Sequence, residues 1–346
     1  MSLLLAVFTF LKRKCLTLSV ALLCLLAAPA SPVAQEPDDV VRTETSLVQL
    51  NVGVVDRQGR AITSLSPNDF AVFEDGVRRP IISFEPTNAP FSLVLLLDMS
   101  GSTVSFRQQL TQAALRFLDA LGPEDRVSVI QFNGKGTKSL VGFSNSYKDV
   151  AYAIELAGGK GDTHFYDALT YSLKELSKEG KRRKAIVVLT DGVDTKLRNV
   201  DRTAAAAKPE TNEAAIGAIK PDASPELTAV LNNADRQGVT VFPLALPSGD
   251  AKRLPYPNPV QVAIYTAARA RLQTLANRTG GRLNEIRSLD QMPRLYAEVA
   301  ANLRSLYSIA YQPPTDRLHD GRWREIKIAV TPPELIARTK PGYFAR

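Results

Sequence analysis

The sequence has very little cysteine and histidine, which removes whole classes of functional site. Its 346 residues include two cysteines and two histidines. Both cysteines, Cys15 and Cys24, lie within residues 1–30. His164 follows Thr163, where it is either a surface residue, which we favour, or a contact to a bound partner. His319 lies in a polar turn with no cluster around it. A mature chain without residues 1–30 therefore has no disulfide and no thiol chemistry.

Several catalytic motifs are missing as well. The sequence has no Gly-x-Ser-x-Gly nucleophile elbow and no His-Glu-x-x-His metalloprotease motif. The glycine-rich stretch at 158–161 lacks the strand–loop–helix context and the Gly-Lys-Ser/Thr ending of a phosphate-binding loop. Asp98-Met99-Ser100 lacks the second acid that an aspartyl-phosphate nucleophile motif needs. These absences count against the common hydrolase and nucleotide-binding classes.

Residues 1–30 have the pattern of an export signal. Lys12-Arg13-Lys14 precedes an apolar run at 15–28, and Ala28-Pro29-Ala30 offers a small-residue cleavage site. The run is too short to span a membrane comfortably, although residues 3–11 are apolar too and leave an uncleaved anchor open. We predict an exported protein that is periplasmic, on the cell surface or secreted. It would contact a membrane only if this segment is retained.

The remaining chain is modestly basic. Formal charge falls from +8 to +5 when the three basic residues of the signal are removed. The densest basic cluster is Lys181-Arg182-Arg183-Lys184. Such a run is more typical of a solvated turn before a strand than of a surface that binds anions. We therefore predict a solvated turn here and expect no nucleic-acid partner.

The pattern of the middle of the chain, 91–305, predicts an α/β domain. The apolar runs 91–97 and 185–189, each bounded by polar residues, are typical of buried parallel strands. They alternate with helical segments, which indicates a doubly wound, mostly parallel, Rossmann-like sheet. The further strands are predicted at 127–132, 138–141, 239–246 and 282–286. The helices are predicted at 104–120, 147–156, 165–178, 225–237, 260–278 and 289–305.

The two flanks, 36–90 and 306–346, have strand patterns instead. Residues 47–55 alternate, and 70–84 form a predicted hairpin around Asp75-Gly76. Two or three strands cannot bury a core alone. The strands predicted at 306–311, 323–330 and 335–339 complement them, with Trp323 and the tail tyrosines as core. We therefore predict that the flanks join in one small β-sandwich with the α/β domain inserted between them.

Polar residues follow the buried strands at the points where ligands bind in open parallel sheets. Asp98, Ser100 and Ser102 follow the first strand, Asp191 follows the central one, and Thr163 lies in a loop between them. Two carboxylates and three hydroxyls suit a hard cation, and the small number of carboxylates favours Mg²⁺ or Mn²⁺ over Ca²⁺. The helix predicted to start directly after Ser102 would add positive potential from its dipole.

These segments resemble the von Willebrand factor A (VWA) domain with a metal-ion-dependent adhesion site. The family motif is Asp-x-Ser-x-Ser, a later Thr and an Asp after the central strand, matched by the five residues named above. The resemblance implies that they approach the metal directly or through water, with Asp191 often acting through water. The flanks resemble those of bacterial secreted VWA-related proteins. One departure is the long stretch at 196–225, which lies close to the proposed site. It is a lid, a partner contact or a disordered insertion, and we favour the insertion.

The resemblance implies a non-enzymatic protein-binding or adhesion module. Its metal would capture an acidic side chain, Asp or Glu, of an unknown protein partner. Two alternatives stay open: a hydrolase that uses the metal to activate water, and a scaffold whose metal site is only structural. The hydrolase lacks an evident general base beyond Asp162.

Overall fold

The fold described below covers most of the chain after the predicted signal. The protein is represented by a computed structural model, which describes residues 47–345 except 181, 254–255 and 315–319. The predicted signal, both cysteines, Lys181 and His319 lie outside the described residues. Residues 45–346 form one compact unit.

The described strands and helices follow the predicted alternation. The strands are β1 (Val48–Val55), β2 (Phe70–Glu74), β3 (Val77–Arg79), β4 (Ile81–Glu85), β5 (Phe91–Asp98), β6 (Arg126–Asn133), β7 (Gly136–Ser144), β8 (Arg183–Thr190), β9 (Val239–Ala245), β10 (Asn284–Glu285), β11 (Leu306–Tyr311), β12 (Trp323–Val330), β13 (Ile336–Arg338) and β14 (Gly342–Phe344). The helices are α1 (Arg107–Leu118), α2 (Tyr147–Leu156), α3 (Phe165–Ser177), α4 (Thr195–Ala206), α5 (Asn212–Ala218), α6 (Pro225–Gln237), α7 (Pro259–Arg278) and α8 (Met292–Arg304).

The central sheet has the order β10-β9-β8-β5-β6-β7 and is parallel except for β7. Every residue of β5 is buried, because helices cover both faces of the sheet. Leu93, Leu95 and Leu97 point to the layer that contains α1, α2 and α8. Val94 and Leu96 point to the layer that contains α3, α6 and α7. The predicted fold class is confirmed.

Antiparallel pairing joins the two flanks of the chain. β1 pairs with β11, and β2 pairs with β12. One four-stranded sheet has the order β13-β1-β11-β4, and the other has the order β14-β12-β2-β3. Side chains of both sheets form one buried cluster that includes Leu50, Val52, Val72, Tyr307, Ile309 and Ile326. The flanks therefore form a β-sandwich around the chain ends of the α/β domain.

The stretch at 196–225 is folded, so the favoured prediction of a disordered insertion is wrong. Asp194 caps α4, since its carboxylate accepts from the backbone N–H of Lys196 and Leu197. Thr211 caps α5 in the same way. Alanines of both helices pack against α7. The stretch is alanine-rich because these helices lie close together, a feature that composition alone did not separate from a loop.

Two details of the sandwich also differ from prediction. The hairpin forms at Asp75-Gly76, where both residues have positive φ. Its second strand does not run on to Phe84, because the chain changes sheets at Pro80, between β3 and β4. Trp323 is not core: it is 36% exposed and packs over the guanidinium of Arg278 at 4.4 Å.

The basic run is not simply a solvated turn before a strand, because Arg183 and Lys184 belong to β8 and Arg183 is buried. Its guanidinium donates to the carbonyl oxygens of Leu306 at 2.6 Å and Thr87 at 3.0 Å, and also to that of Ala89. These carbonyls belong to the two connections between sandwich and inserted domain. We call this junction the neck. Arg183 therefore holds the two connections of the neck together.

None of the helices among the described residues combines the length and the apolar character needed to cross a membrane.

Candidate metal centre

Two neighbouring parallel strands bring the first and third predicted segments together. β5 and β8 pair with Leu97 beside Leu189. Asp98 ends β5 and Thr190 ends β8, and Thr190 Oγ1 donates a hydrogen bond of 2.7 Å to Asp98 Oδ2. Asp191 follows directly. Strand order reverses at this point, since β6 lies on one side of β5 and β8 on the other.

Hydrogen bonds fold the first segment back toward Asp98. The Ser100 N–H donates to Asp98 Oδ1 at 3.0 Å, and Ser100 Oγ lies 3.2 Å from Ser102 Oγ. Thr103 Oγ1 donates to the carbonyl oxygens of Asp98 at 2.8 Å and Ser100 at 3.0 Å. The Ser102 hydroxyl also acts to lower the pKa of Asp191, so the two side chains lie close to each other. Hydrogen bonds therefore connect three of the five predicted ligands, Asp98, Ser100 and Ser102.

The loop that carries Thr163 is fixed beside them by backbone contacts. The Thr163 N–H donates to Thr195 Oγ1 at 3.0 Å, and the Thr195 N–H donates to the Thr163 carbonyl at 3.0 Å. The Gly101 N–H donates to the Gly161 carbonyl at 2.9 Å. Thr163 is thus tied both to the start of α4 and to the Asp98 segment.

Glycines let this loop approach its neighbour closely. A Cβ on Gly134 would lie 2.8 Å from the backbone nitrogen of Asp162, and one on Gly159 would lie 2.2 Å from the side chain of Asn133. The Gly134 N–H donates to the Lys160 carbonyl at 3.1 Å. The glycine-rich stretch therefore serves close packing of two loops beside the site.

Burial dominates the electrostatics of the two carboxylates. Burial of Asp98, together with the nearby charge of Asp191, raises the pKa of Asp98 to about 7. Burial likewise raises the pKa of Asp191, although hydrogen bonds from Ser102 and the Val193 N–H oppose this. The direct hydrogen-bond partners of both are neutral. Among the described residues no cation forms a hydrogen bond with either acid, although the charges of Arg269 and Arg198 also act to lower the pKa of Asp191.

This donor set fits a hard dication. Within the described part of the chain, no group of three or more His, Cys, Asp or Glu side chains is placed to hold a metal. A cation here would depend on two carboxylates and on hydroxyls, which is the ligand chemistry of Mg²⁺ and Mn²⁺. The uncompensated carboxylate pair is the feature that a cation would satisfy.

The expected contribution of a helix dipole is not what the structure gives. Residues Gly101–Phe106 form a 3₁₀ turn, and the α-helix begins only at Arg107. The side chain of Arg107 instead donates to the carbonyl oxygens of Met99 at 3.1 Å and Ser100 at 3.2 Å, and also to that of Gly159. It holds the first ligand segment against the glycine-rich loop.

Exposure separates the predicted ligands into two groups. Asp98, Ser100, Thr163 and Asp191 are buried, whereas Ser102 is exposed. The site therefore opens to solvent on the Ser102 side. Among the other candidates, Asp162 and Asp167 are exposed, and His164 precedes α3.

Three positioning residues were missed by sequence reasoning. Thr190 donates to Asp98, Thr195 accepts from the Thr163 N–H, and Arg107 braces the loop carbonyls. Thr190 was visible in the sequence as the residue before Asp191. Thr195 follows Asp194, a helix-capping residue type, which was a usable signal for a helix start. Arg107 gave no signal, because its partners are backbone atoms.

Comparison with known proteins agrees with this geometry. Residues 93–193 match the family model for the von Willebrand factor type A domain. This part of the chain is similar to VWA domains. The match spans Asp98, Ser100, Ser102, Thr163 and Asp191.

The proteins to which this chain is similar differ widely in length and source. Human inter-alpha-trypsin inhibitor heavy chain H4 is 30% identical over 124 residues, which is 32% of this chain and 13% of the relative. The chain thus spans a small part of that relative. A von Willebrand factor type A structure from Catenulispora acidiphila has a TM-score of 0.45 and 11% identity over 88% of this chain and 74% of its own.

Two further solved structures are similar over the VWA region. The von Willebrand factor domain of the type V pili tip protein Mfa5 from Porphyromonas gingivalis has a TM-score of 0.45 and 11% identity, over 62% of this chain and 95% of its own. Proximal thread matrix protein 1 from the mussel byssus, with a zinc-occupied metal-ion-dependent adhesion site, has a TM-score of 0.44 and 14% identity, over 65% and 48%.

Proposed function

We propose that this chain is an exported, non-enzymatic protein-binding module that captures an acidic side chain of a partner through a divalent metal. The metal would be held by Asp98, Ser100, Ser102, Thr163 and Asp191, with Mg²⁺ or Mn²⁺ preferred to Ca²⁺. The observation that carries the proposal is the pair of buried carboxylates, Asp98 and Asp191, whose direct hydrogen-bond partners are all neutral.

The residue types of the site favour capture of a carboxylate. A bound dication would balance the two acids and attract a further anionic oxygen from outside. Hydroxyls contribute ligand oxygens without neutralising charge, so Ser100, Ser102 and Thr163 leave the centre electron-poor. Additional carboxylates at these positions would remove that attraction. The donor set thus supports a docking point for Asp or Glu.

The shape of the site supports an external ligand. Asp98 and Ser100 form a buried floor, while Gly101 and Ser102 are exposed above it. A side chain of a partner would approach past Ser102 without displacing any core residue. The export expected from residues 1–30 would place this face outside the cytoplasm.

A hydrolase is the second reading, and the groups around the site do not favour it. Water activation needs a general base within hydrogen-bond reach of the reacting water. Asp162 is exposed at the end of the glycine-rich loop, and His164 lies at the start of α3. A scaffold with a purely structural metal remains the third reading, in which the sandwich would make the contact with the partner.

Replacement of Asp98 tests these readings together. We expect the wild-type chain to take up Mg²⁺ or Mn²⁺ in calorimetry and Asp98→Ala to lose about a hundredfold or more in affinity, because a direct ligand matters at least as much as an outer-shell partner. Partner capture from cell-envelope extracts should vanish with it and in excess chelator, while the circular dichroism spectrum stays unchanged.

Asp167→Ala is the matched control, since Asp167 is exposed in the first turn of α3 near the site. It should keep both metal uptake and partner capture. Equal partner capture by Asp98→Ala would favour the scaffold. Absence of any metal uptake by the wild-type chain would refute the metal-dependent proposal.

A further inference from the structure

A groove beside the metal site is lined by one face of α7. Val262, Tyr265, Thr266, Arg269, Ala270 and Gln273 recur at helical spacing and line a cavity of about 910 Å³. The opposite face of α7 packs into the protein through residues such as Ala267 and Leu272. Together these groove-lining residues extend over about 16 Å of α7, which is the length of about five residues of extended chain.

Two contacts join this groove to the metal site. Tyr265 packs against the cluster that contains Val193, two residues after Asp191. Arg269 donates to the Leu246 carbonyl at 3.2 Å, and the Leu246 N–H donates to the Thr190 carbonyl at 2.9 Å. The groove therefore begins where β8 and β9 end. A chain bound at the metal site can continue into it.

The far wall of the groove is an edge of the central sheet. Leu283, Glu285, Ile286 and Arg287, in and around β10, line the side opposite α7. β10 is the last strand of the sheet among the described residues. An extended segment is the kind of ligand that fits between a helix face and an edge strand. The inserted helix α5 closes the rim with its residue Ile216.

The charges that remain available in the groove are mostly positive. Two lining acids are already paired: Glu285 lies 3.4 Å from Arg269, and Asp250 lies 3.6 Å from Arg253. Lys252 and Arg287 also line the groove and form no ion pair with a described residue. Glu213 is the lining acid that has no ion pair among the described residues. The groove therefore complements an acidic segment better than a basic one.

Arg198, on α4, adds a specific anchor near the metal. Its Nε is buried and has no hydrogen-bond partner among the described residues. Arg198 lies in the first turn of α4, where its N–H donates to the Asp194 carbonyl at 2.8 Å, and the helix start is bound to the predicted ligand segment through Thr195 and Thr163. A guanidinium at this position whose buried Nε has no partner suits a carboxylate supplied by a ligand.

We propose that the partner binds as an extended acidic segment: one acidic side chain occupies the metal site, the neighbouring residues lie in the α7 groove, and a second carboxylate binds Arg198. This inference rests on the proposed function and names the class of ligand for that site. It also gives the folded stretch at 196–225 a role, because Arg198 and the α5 rim both belong to it.

The test uses two pools of fluorescein-labelled nine-residue peptides with a central Asp in apolar surroundings. One pool has a second Asp at varied positions, and the other has Asn at those positions. Fluorescence polarisation with the full chain in Mg²⁺ should show tighter binding of the two-acid pool. Arg198→Gln should reduce that preference about tenfold, the loss expected for one charge-assisted pair.

Arg202→Gln is the matched control, since it is exposed one turn further along α4. It should leave the preference unchanged. Thr266→Trp, which fills the groove, should weaken binding of both pools about tenfold or more while Mg²⁺ affinity in calorimetry and the melting temperature stay unchanged.

The outcomes separate this inference from the function on which it rests. Peptides that bind equally to wild type and Thr266→Trp, yet not to Asp98→Ala, would retain the metal-dependent capture and refute the groove. Normal Mg²⁺ uptake with no binding of either pool would also refute it. A wild-type chain that takes up neither Mg²⁺ nor Mn²⁺ would remove both proposals.

Discussion

Strands β5 and β8 have a buried charged centre at each end, and the two centres are built in opposite ways. At the amino ends lies Arg183, and at the carboxyl ends lie Asp98 and Asp191. About 23 Å of sheet separates the two ends of an eight-residue strand. Both centres remove charge from water, which is costly unless the charge is compensated.

The two centres differ in which groups balance their buried charge. Arg183 donates from both of its Nη atoms to backbone carbonyls at the neck, so the protein supplies direct partners for its charge, although its buried Nε has none. Asp98 and Asp191 accept hydrogen bonds only from neutral donors, and Asp191 raises the pKa of Asp98; the charges of Arg269 and Arg198 act on Asp191 without a hydrogen bond to it. The charge of the first centre is held by direct contacts, and the second centre has no cation in direct contact. A buried charge therefore points to binding only when its own chain leaves it uncompensated.

Removal of the first centre should have the largest effect on stability. We expect Arg183→Met to lower the free energy of unfolding by about 3 kcal/mol, because several buried carbonyls lose their donor. Mg²⁺ affinity should stay unchanged, since the site is at the other end of the strands. Urea unfolding followed by circular dichroism measures the free energy of unfolding, and calorimetry measures the Mg²⁺ affinity.

Arg282→Met is the control for that variant, because Arg282 is exposed and should be neutral. A normal stability for Arg183→Met would show that the neck does not depend on its guanidinium, and the contrast between the two centres would fail.

Neutralisation of the second centre should change stability in the opposite direction. We expect Asp98→Asn to raise the metal-free stability at pH 8 by about 1–2 kcal/mol, since it removes a buried negative charge next to Asp191. Mg²⁺ should no longer stabilise the variant. Thermal unfolding with and without Mg²⁺ measures both effects. Destabilisation of the metal-free variant would show that the pair is compensated within the protein.

Metal affinity should depend on pH around the pKa of Asp98. Protons compete with the metal for this carboxylate, whose pKa is raised to about 7. We expect Mg²⁺ to bind about tenfold more weakly at pH 6 than at pH 8, as the ionised fraction falls. Calorimetry at several pH values tests this, and equal affinities at pH 6 and pH 8 would contradict it.

The raised pKa of Asp98 also determines whether the stability of the metal-free protein rises or falls with pH. The folded-state pKa of Asp98 lies above the ordinary aspartate value of 3.8, so the folded state binds more protons between about pH 4 and 7. Its contribution to stability should therefore decrease as pH rises through that window. Increasing metal-free stability over the same range would show that other groups dominate.

The smallest effect should come from the support of Thr163. Thr195→Val removes the acceptor of the Thr163 N–H, and we expect metal affinity to fall about threefold, since one neutral hydrogen bond contributes about 1 kcal/mol. Thr195→Ser should restore it, because the hydroxyl is kept. Equal affinity of the valine and serine variants would show that the loop is held by other contacts.

The parallel sheet and the five predicted ligands were accessible from sequence because each leaves a local pattern. An apolar run followed by Asp98 or Asp191 predicts both a buried strand and the point where it ends. Gly238 likewise predicts the end of α6, where it has a positive φ. The structure then places these ends together, although the identity of the ligands remains a prediction until a metal is tested.

Other features could not be predicted because they depend on distant backbone atoms. Nothing in the run Arg182-Arg183-Lys184 states that Arg183 meets carbonyls of the neck. The helices at 195–218 have alanine-rich surfaces whose burial depends on α7. Trp323 was expected in the core from its size alone, but it packs on Arg278 at the surface.

The neck has a consequence for the order in which the chain folds. The sandwich joins residues as distant as Gln49 and Ser308, 259 positions apart, and closing so long a loop is slow. The inserted domain can form from nearer segments, and once formed it holds its entrance and exit side by side. Folding of the inserted domain has then already closed the long loop, so pairing of the flanks does not add that entropic cost. We therefore expect the β-sandwich to form last, after the inserted domain has folded and brought the two flanks together.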